Sequence, residues 1–366
     1  MKNLSFLATA IGSLPHKNPQ EAVDLIFENF PDFPAVPQLA NISSKEDMLV
    51  QVAQNIPGII FDKEDNRWYM DQEQEDFYER LEEFYLDYES IINEKNMDLL
   101  EKYEITQEFS SALPIYFEKI RKNNPIALKG QIIGPFTYGT SLVDREKKCV
   151  FYDETLKEII IKGLTLKALW LLKKFREFSP ASIPVIFLDE PSISQYGTSA
   201  FITITKQDII ESISEIATIL KDHGALVGVH CCGNTDWSVI IQSNIDILSF
   251  DGFYFTESLS LYSKELKNFL EKGGYIAWGM VPTLDEDALK LSSVETLTKK
   301  FEEGKSYLIN KGIDENLIVK SSFITPACGA GVLNIELADF AMKLTSDLAK
   351  HLYKSQIKFR NIFGNK

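Results

Sequence analysis

Eight apolar runs, each closed by glycine, proline or an acidic residue and most followed by a helix-period segment, predict an α/β chain folded as a closed (β/α)8 TIM barrel. Composition agrees: of 366 residues 45% are apolar and 11% aromatic, which suits one large core and a single domain spanning residues 1–366. The residues best suited to chemistry stand at the ends of the runs, where a parallel barrel carries its active site.

The first run, FLATAIGS, ends at Gly12 and Ser13, and Pro19 opens a helix with Ala22, Val23, Leu25, Ile26 and Phe30 on its apolar face. FPAVPQ (Phe33 to Gln38) reads as a second strand broken by prolines. Residues 41–122 form a long, charged, mostly helical insertion after that strand; its Tyr and Phe spacing fits helix packing better than a binding cage. IALKGQIIGPFT (Ile126 to Thr137) is the third strand, with Gly134 and Pro135 shaping a turn, and a long helix follows from Glu154 to Phe178. IPVIFLDEP (Ile183 to Pro191) is the fourth, and a helix over Asp208 to Asp222 leads to the fifth, ALVGV (Ala225 to Val229). IDILSFD, YIAWGMV and LIVKSSFITPA supply the sixth to eighth. A last helix starts after Asn334, a suitable N-cap, and runs to about Tyr353.

The formal charge of −15 argues against nucleic acid and anionic membrane surfaces, both of which select clustered Lys and Arg. Four cysteines, at 149, 231, 232 and 328, are no disulfide framework for a chain of this length and fit a reducing compartment with thiols free for metal. The N-terminus, with Lys2 and a short apolar run, resembles a leader peptide but passes directly into IGSLPH, read here as strand then loop. No run approaches the roughly 18 apolar residues of a membrane span. A cytoplasmic location is expected.

The chemistry converges on VHCCGNTDW, Val229 to Trp237. Alternate strand residues share a face, so His230 and Cys232 point one way and Cys231 the other. Imidazole and thiolate on one face are half of a zinc site, although a buried histidine beside a core cysteine would look the same. Cys328, in ITPACGAG, and Asp251, closing ILSFD, stand at the ends of two other runs. The four make a convergent candidate metal set: His230, Cys232, Asp251 and Cys328. Asp189 and Glu190, in LDEP, are either substrate-binding carboxylates or salt-bridge and helix-cap groups. His16 stands at the first strand's mouth, where it can face the site, while His223 and His351 lie at helix ends. Trp237 is a packed wall residue or a pocket wall.

IGS (Ile11 to Ser13), KGQIIGPFT, LDEP, HxC, ILSFD and PACG (Pro326 to Gly329) occur in the order seen in the catalytic barrel of cobalamin-independent methionine synthase. The chain resembles that family over nearly its whole length, without the separate N-terminal barrel of the full-length enzyme. Zinc methyltransferases that methylate coenzyme M, and uroporphyrinogen decarboxylase, share the barrel. The resemblance implies that His230, Cys232 and Cys328 bind zinc and serve catalysis, and that Asp251 stands where the family has a glutamate ligand. It implies that Ile11 and Ser13 hold an amino acid carboxylate through their backbone, and that Asp189, beside Glu190, holds the ammonium. The expected activity is methyl transfer to the thiol of homocysteine. Two departures stand out. Asp251 is one methylene shorter than glutamate, and the segment GMVPTLDEDALKL lacks the histidine that acts as acid toward a folate donor. The second departure points to a methylcorrinoid, carried by a corrinoid protein, as donor. Methylation of another small thiol, or a non-catalytic zinc or corrinoid-partner binding module, are the alternatives.

Overall fold

The computed structural model describes residues 4–62 and 67–363; Lys2 of the leader-like N-terminus lies outside them. Among these residues β1 (Ile59–Asp62) and β2 (Arg67–Met70) form an antiparallel hairpin. Six parallel strands follow: β3 (Ala127–Ile133), β4 (Ile183–Asp189), β5 (Leu226–Cys231), β6 (Ile247–Phe250), β7 (Tyr275–Val281) and β8 (Ser322–Pro326). They lie side by side in sequence order in one sheet. No helix of the described residues is long and apolar enough to cross a membrane.

The closed eight-stranded barrel expected from the sequence is not what forms. The sheet is a six-stranded, open, strongly curled half-barrel. The first two predicted runs contribute only isolated bridges, Ala8 to Ile324, Ala35 to Lys129 and Ser13 to Gln38. The cause is local. Phe6 has φ of 54° and Gly12 of 143°, which break an extended strand at both ends of the first run. Pro34 and Pro37 have no N–H to give a ladder. The bonds that remain run from Phe6 N–H to Ser322 O, Thr9 N–H to Ile324 O and Val36 N–H to Lys129 O. They lay the two segments against β8 and β3, the edges of the sheet.

Three smaller expectations also change. Leu317 to Lys320, read as strand, belong to a helix, Glu315–Lys320, whose N-cap Asp314 accepts from Leu317 N–H; β8 begins only at Ser322. The 41–122 segment holds helices Phe77–Asn93 and Leu113–Asn123 but also the β1–β2 hairpin, in which Phe61 stacks at a tilt on Trp68. The last helix continues beyond Tyr353, spanning Ile335–Phe363. The helix over 154–178 appears as expected, started by Asp153, which accepts from Leu156 N–H. The next, Lys206–Asp222, is started by a Thr205–Asp208 capping box.

Strand alternation and register place the functional residues. In-register partners of parallel strands share a face, and Asp189 pairs with His230 and His230 with Ser249. Along the inner face the residues grade from apolar to polar. Ala127, Val185, Phe187, Ile247, Ala277 and Phe323 form a buried inner cluster, joined by Leu4 and Phe33. One or two steps further along the same strands come Lys129, Gln131, Asp189, His230, Ser249 and Asp251, all buried. The outer face packs against helices in the larger core, with Leu188, Val229, Cys231 and Phe250 among its members.

Candidate metal centre

His230, Cys232 and Cys328 come together: one ligand atom from each lies within 4.8 Å of the others. His230 is the inward residue near the end of β5, and Cys232 follows one residue beyond it. Cys328 lies past the end of β8, in a loop held from both sides. Its N–H donates to Thr283 Oγ1 (3.1 Å), and the Thr283 hydroxyl donates to the Cys328 carbonyl (2.9 Å). Ala330 N–H donates to the Ser13 carbonyl at 2.8 Å, which brings the first predicted run against the same loop.

The set fits a bound metal on three observations. His230 Nδ1 is 3.0 Å from the Ser249 hydroxyl, while its Nε2 is buried with no partner, an orphaned lone pair or proton that metal ligation would satisfy. A proton kept on Cys328 bonds to Cys232 and, aided by His230, holds the Cys232 thiol far below the usual range, while the same bond together with burial pushes Cys328 up. A dication at this place would replace that proton and leave both sulfurs as thiolates. Two sulfurs and one imidazole are also a donor set suited to zinc. Cys231, by contrast, is fully buried among apolar residues; burial raises its thiol to about 12, and its sulfur donates to the Gly233 carbonyl at 3.5 Å.

Asp251 shares the inner face but is not within the 4.8 Å group. Its Oδ1 accepts from Tyr254 N–H at 3.0 Å, and burial lifts its carboxyl to about 6. Asp189 stands beside His230 in register, nearly fully buried, with Oδ1 unpartnered. Burial raises its carboxyl and Lys129 opposes the rise. Glu190 behaves differently from its neighbour. Its Oε1 accepts from Phe136 N–H (2.9 Å) and its Oε2 from Thr137 N–H (2.7 Å) and Thr137 Oγ1 (2.6 Å), so it caps the short helix Pro135–Ser141. Gly134 is required beneath it, because a Cβ there would sit 2.3 Å from the Glu190 carboxyl carbon. Burial still outweighs those bonds and lifts Glu190 to about 7.

Ile11 and Ser13 lie on a turn whose centre, Gly12, has φ of 143° and no room for a side chain: a Cβ would sit 2.4 Å from Gln131 Nε2. Among the described residues, no acceptor takes the N–H of Gly12 or Ser13. His16 pairs with Asp339 at 3.2 Å, and His223 caps a helix with Nδ1 2.8 Å from the Ile219 carbonyl. Trp237 is wholly buried against Phe250. A cleft of about 510 Å³ opens beside Cys232, between Met48 and Leu49 of the 41–122 segment, Thr137, Ser194 and Leu284. That volume falls within the roughly 300–1,000 Å³ usual for small-molecule sites.

Three residues here escaped the sequence reading: Lys129, Ser249 and Thr283. Lys129 had a signal, a lysine in the middle of an otherwise apolar run. The two hydroxyls had none, since their value lies in which neighbour they face.

No family model matches the chain. A methionine synthase from Methanocaldococcus jannaschii is 29% identical over 234 residues, which are 61% of this chain and 65% of that protein. The match thus spans less than two thirds of that relative. A solved methyltransferase from Methanosarcina mazei aligns with 93% of this chain and 87% of its own, at 15% identity and a TM-score of 0.48. The sequence match makes the chain a distant relative of a methionine synthase, and it carries a His/Cys/Cys cluster able to coordinate a metal ion.

Proposed function

We propose that this protein is a zinc-dependent methyltransferase that moves a methyl group onto the thiol of homocysteine, giving methionine. The observation that carries the reading is the buried, unpartnered His230 Nε2 grouped with the Cys232 and Cys328 sulfurs. His230, Cys232 and Cys328 would hold the ion, with Asp251, one strand over on the inner face, assigned the fourth position. Bound zinc supplies the Lewis acidity that keeps a small thiol deprotonated near neutral pH, where a free thiol is only a few per cent thiolate.

The chain's own residues do the rest. The Ser249 hydroxyl fixes the ring of His230 through Nδ1, so that Nε2 faces the two sulfurs. Asp189 offers its free Oδ1 to the substrate ammonium, and the Gly12 and Ser13 amides, with Ile11, face its carboxylate. Glu190 serves this site indirectly, by capping the helix at Thr137, which lines the cleft. A thiol without a cationic group, such as a mercaptosulfonate, has nothing to give Asp189, and that favours homocysteine over a coenzyme M-like substrate.

The donor assigned is a methylcorrinoid, carried by a corrinoid protein. A methyl on a folate nitrogen leaves only with a proton delivered to that nitrogen, so the protein must place an acid there. The segment after β7 has no histidine, and its Asp285 is an acceptor, taking a hydrogen bond from Tyr254 OH (2.7 Å) and one from Ala288 N–H (2.9 Å). In transfer from a corrinoid the carbon–sulfur bond forms while the cobalt–carbon bond breaks, its electron pair stays on cobalt as cobalt(I), and no proton is required. The test uses the zinc-loaded chain. Metal should bind one to one, homocysteine should exchange one O or N neighbour of zinc for sulfur in the X-ray absorption spectrum, and single-turnover methionine formation should proceed with methylcobalamin but be very slow with methyltetrahydrofolate. Efficient turnover with the folate would reject the donor; an unchanged zinc spectrum would reject the reaction.

A further inference from the structure

Lys129 is a fully buried lysine near the site and has no role in the scheme above. It is wholly inaccessible, on the inner face of β3, where Ala127, Val185 and Phe187 show that an apolar side chain fits this wall. Burying an ammonium is costly unless it is paired. Its Nζ donates to the Ile11 carbonyl (2.5 Å) and to Gln131 Oε1 (3.1 Å), and lies 4.5 Å from the centre of the Phe187 ring. Gln131 in turn donates to the Val36 carbonyl at 2.8 Å, so the group forms a rigid floor under the Ile11–Ser13 turn. Asp189, on the neighbouring strand β4, carries a carboxylate whose charge favours the protonated Lys129. Lys129 makes no direct ion pair with it.

We propose that Lys129 is a positioning residue that makes the site select a zwitterion, a thiol bearing both an ammonium and a carboxylate. The inference rests on the reading of Asp189 as the ammonium site. Two effects combine. A cation bonded to the Ile11 oxygen polarises the Ile11–Gly12 peptide, so the Gly12 N–H becomes a stronger donor to an anion at the turn. Charge balance works in the same direction. Without substrate, Asp189 and Lys129 offset one another; a substrate ammonium that takes up Asp189 leaves Lys129 a buried cation without a counterion. A carboxylate on the same substrate, seated at the turn above Lys129, restores the balance. An amine-only thiol brings a second cation and no anion, and the site rejects it.

The experiment is calorimetric titration of the zinc-loaded full chain with homocysteine and with 3-aminopropane-1-thiol, its decarboxylated analogue. Wild type should favour homocysteine by at least about tenfold, equivalent to about 1.4 kcal/mol. Lys129→Gln keeps a donor for Ile11 but removes the charge. It should weaken homocysteine about tenfold while binding the amine-only thiol as tightly as wild type or more tightly. Lys129→Met, which buries no polar group, should show the same crossover and serves if the glutamine variant does not fold. A merely structural lysine would weaken both thiols together, and that result overturns the proposal. So does a wild type indifferent to the carboxylate, a comparison that needs no variant. If neither thiol bound the wild type, the proposed function would fail; if homocysteine bound without discrimination, only the role of Lys129 would.

Discussion

The ends of β4 and β5 each carry a doublet of like residues, Asp189–Glu190 and Cys231–Cys232, and each doublet splits. On β5, Cys232 joins the group able to hold a metal while Cys231 is sealed in the outer core. On β4, Asp189 keeps a free buried oxygen beside His230 while both oxygens of Glu190 are taken up by a helix cap. One rule, alternation across a pleated strand, divides both pairs. What differs is how the outward member is accommodated. A thiol tolerates an apolar wall as a small hydrophobe. A carboxylate does not, so the β4 end needs a dedicated set of donors from the Gly134–Thr137 turn. Identical spacing in sequence therefore yields one inert residue and one structural residue.

The strongest way to break this comparison is at the cysteines. Cys328→Ser should lose most of its zinc, whereas Cys231→Ser should retain it, as measured by metal content after gel filtration. Equal losses would mean that the cluster is not the metal site.

Much of this contrast was readable beforehand. The two-residue spacing of His230 and Cys232 in a run bounded by glycine was enough to separate Cys231 from its neighbours, and the structure brings His230, Cys232 and Cys328 together. The same reasoning applied to LDEP sends Asp189 and Glu190 to opposite faces, and the structure has Glu190 as the helix-cap group and Asp189 with a free oxygen; the chemical resemblance of two carboxylates leaves that choice open in the sequence. The barrel was overread for a related reason. FLATAIGS and FPAVPQ have strand composition, but a strand is a ladder of bonds to a neighbour, and the positive φ of Phe6 and the prolines at 34 and 37 leave only isolated bridges. Composition signals burial in both cases. It does not signal pairing.

The carboxylates provide a crossed test of intermediate size. Glu190→Ala should lower stability by about 2–4 kcal/mol in denaturant unfolding, because it strands the Phe136 and Thr137 amides in a buried position, at about 1–3 kcal/mol for each unsatisfied group. Its homocysteine affinity, where the protein remains folded, should change little. Asp189→Asn should instead keep zinc while losing about 1.5–3 kcal/mol of homocysteine binding, the worth of a charged hydrogen bond. If both variants lost affinity alike, the division between the two residues would be wrong.

The smallest expected effect lies one bond away from the metal. Ser249, on β6, faces β5 and holds Nδ1 of His230 at 3.0 Å. Its hydrogen bond goes to the ring nitrogen away from the sulfurs, so it acts on the ion by fixing which ring nitrogen is free and how the ring is turned. Removal of such supporting partners weakens metal binding by about 10–100-fold in comparable sites. A hydroxyl is a weaker orienting group than a carboxylate, which puts Ser249→Ala near the lower limit, about tenfold in zinc affinity by chelator competition, with the fold and the thiol ligands unchanged. The sharper readout is positional. If the hydroxyl sets the ring, Ser249→Asp should tighten zinc beyond wild type, because a carboxylate holds the Nδ1 proton more firmly and makes Nε2 a better donor. A Ser249→Ala variant with wild-type zinc affinity would show that packing alone orients His230, and that the end of β5 assembles its ligand without help from the neighbouring strand.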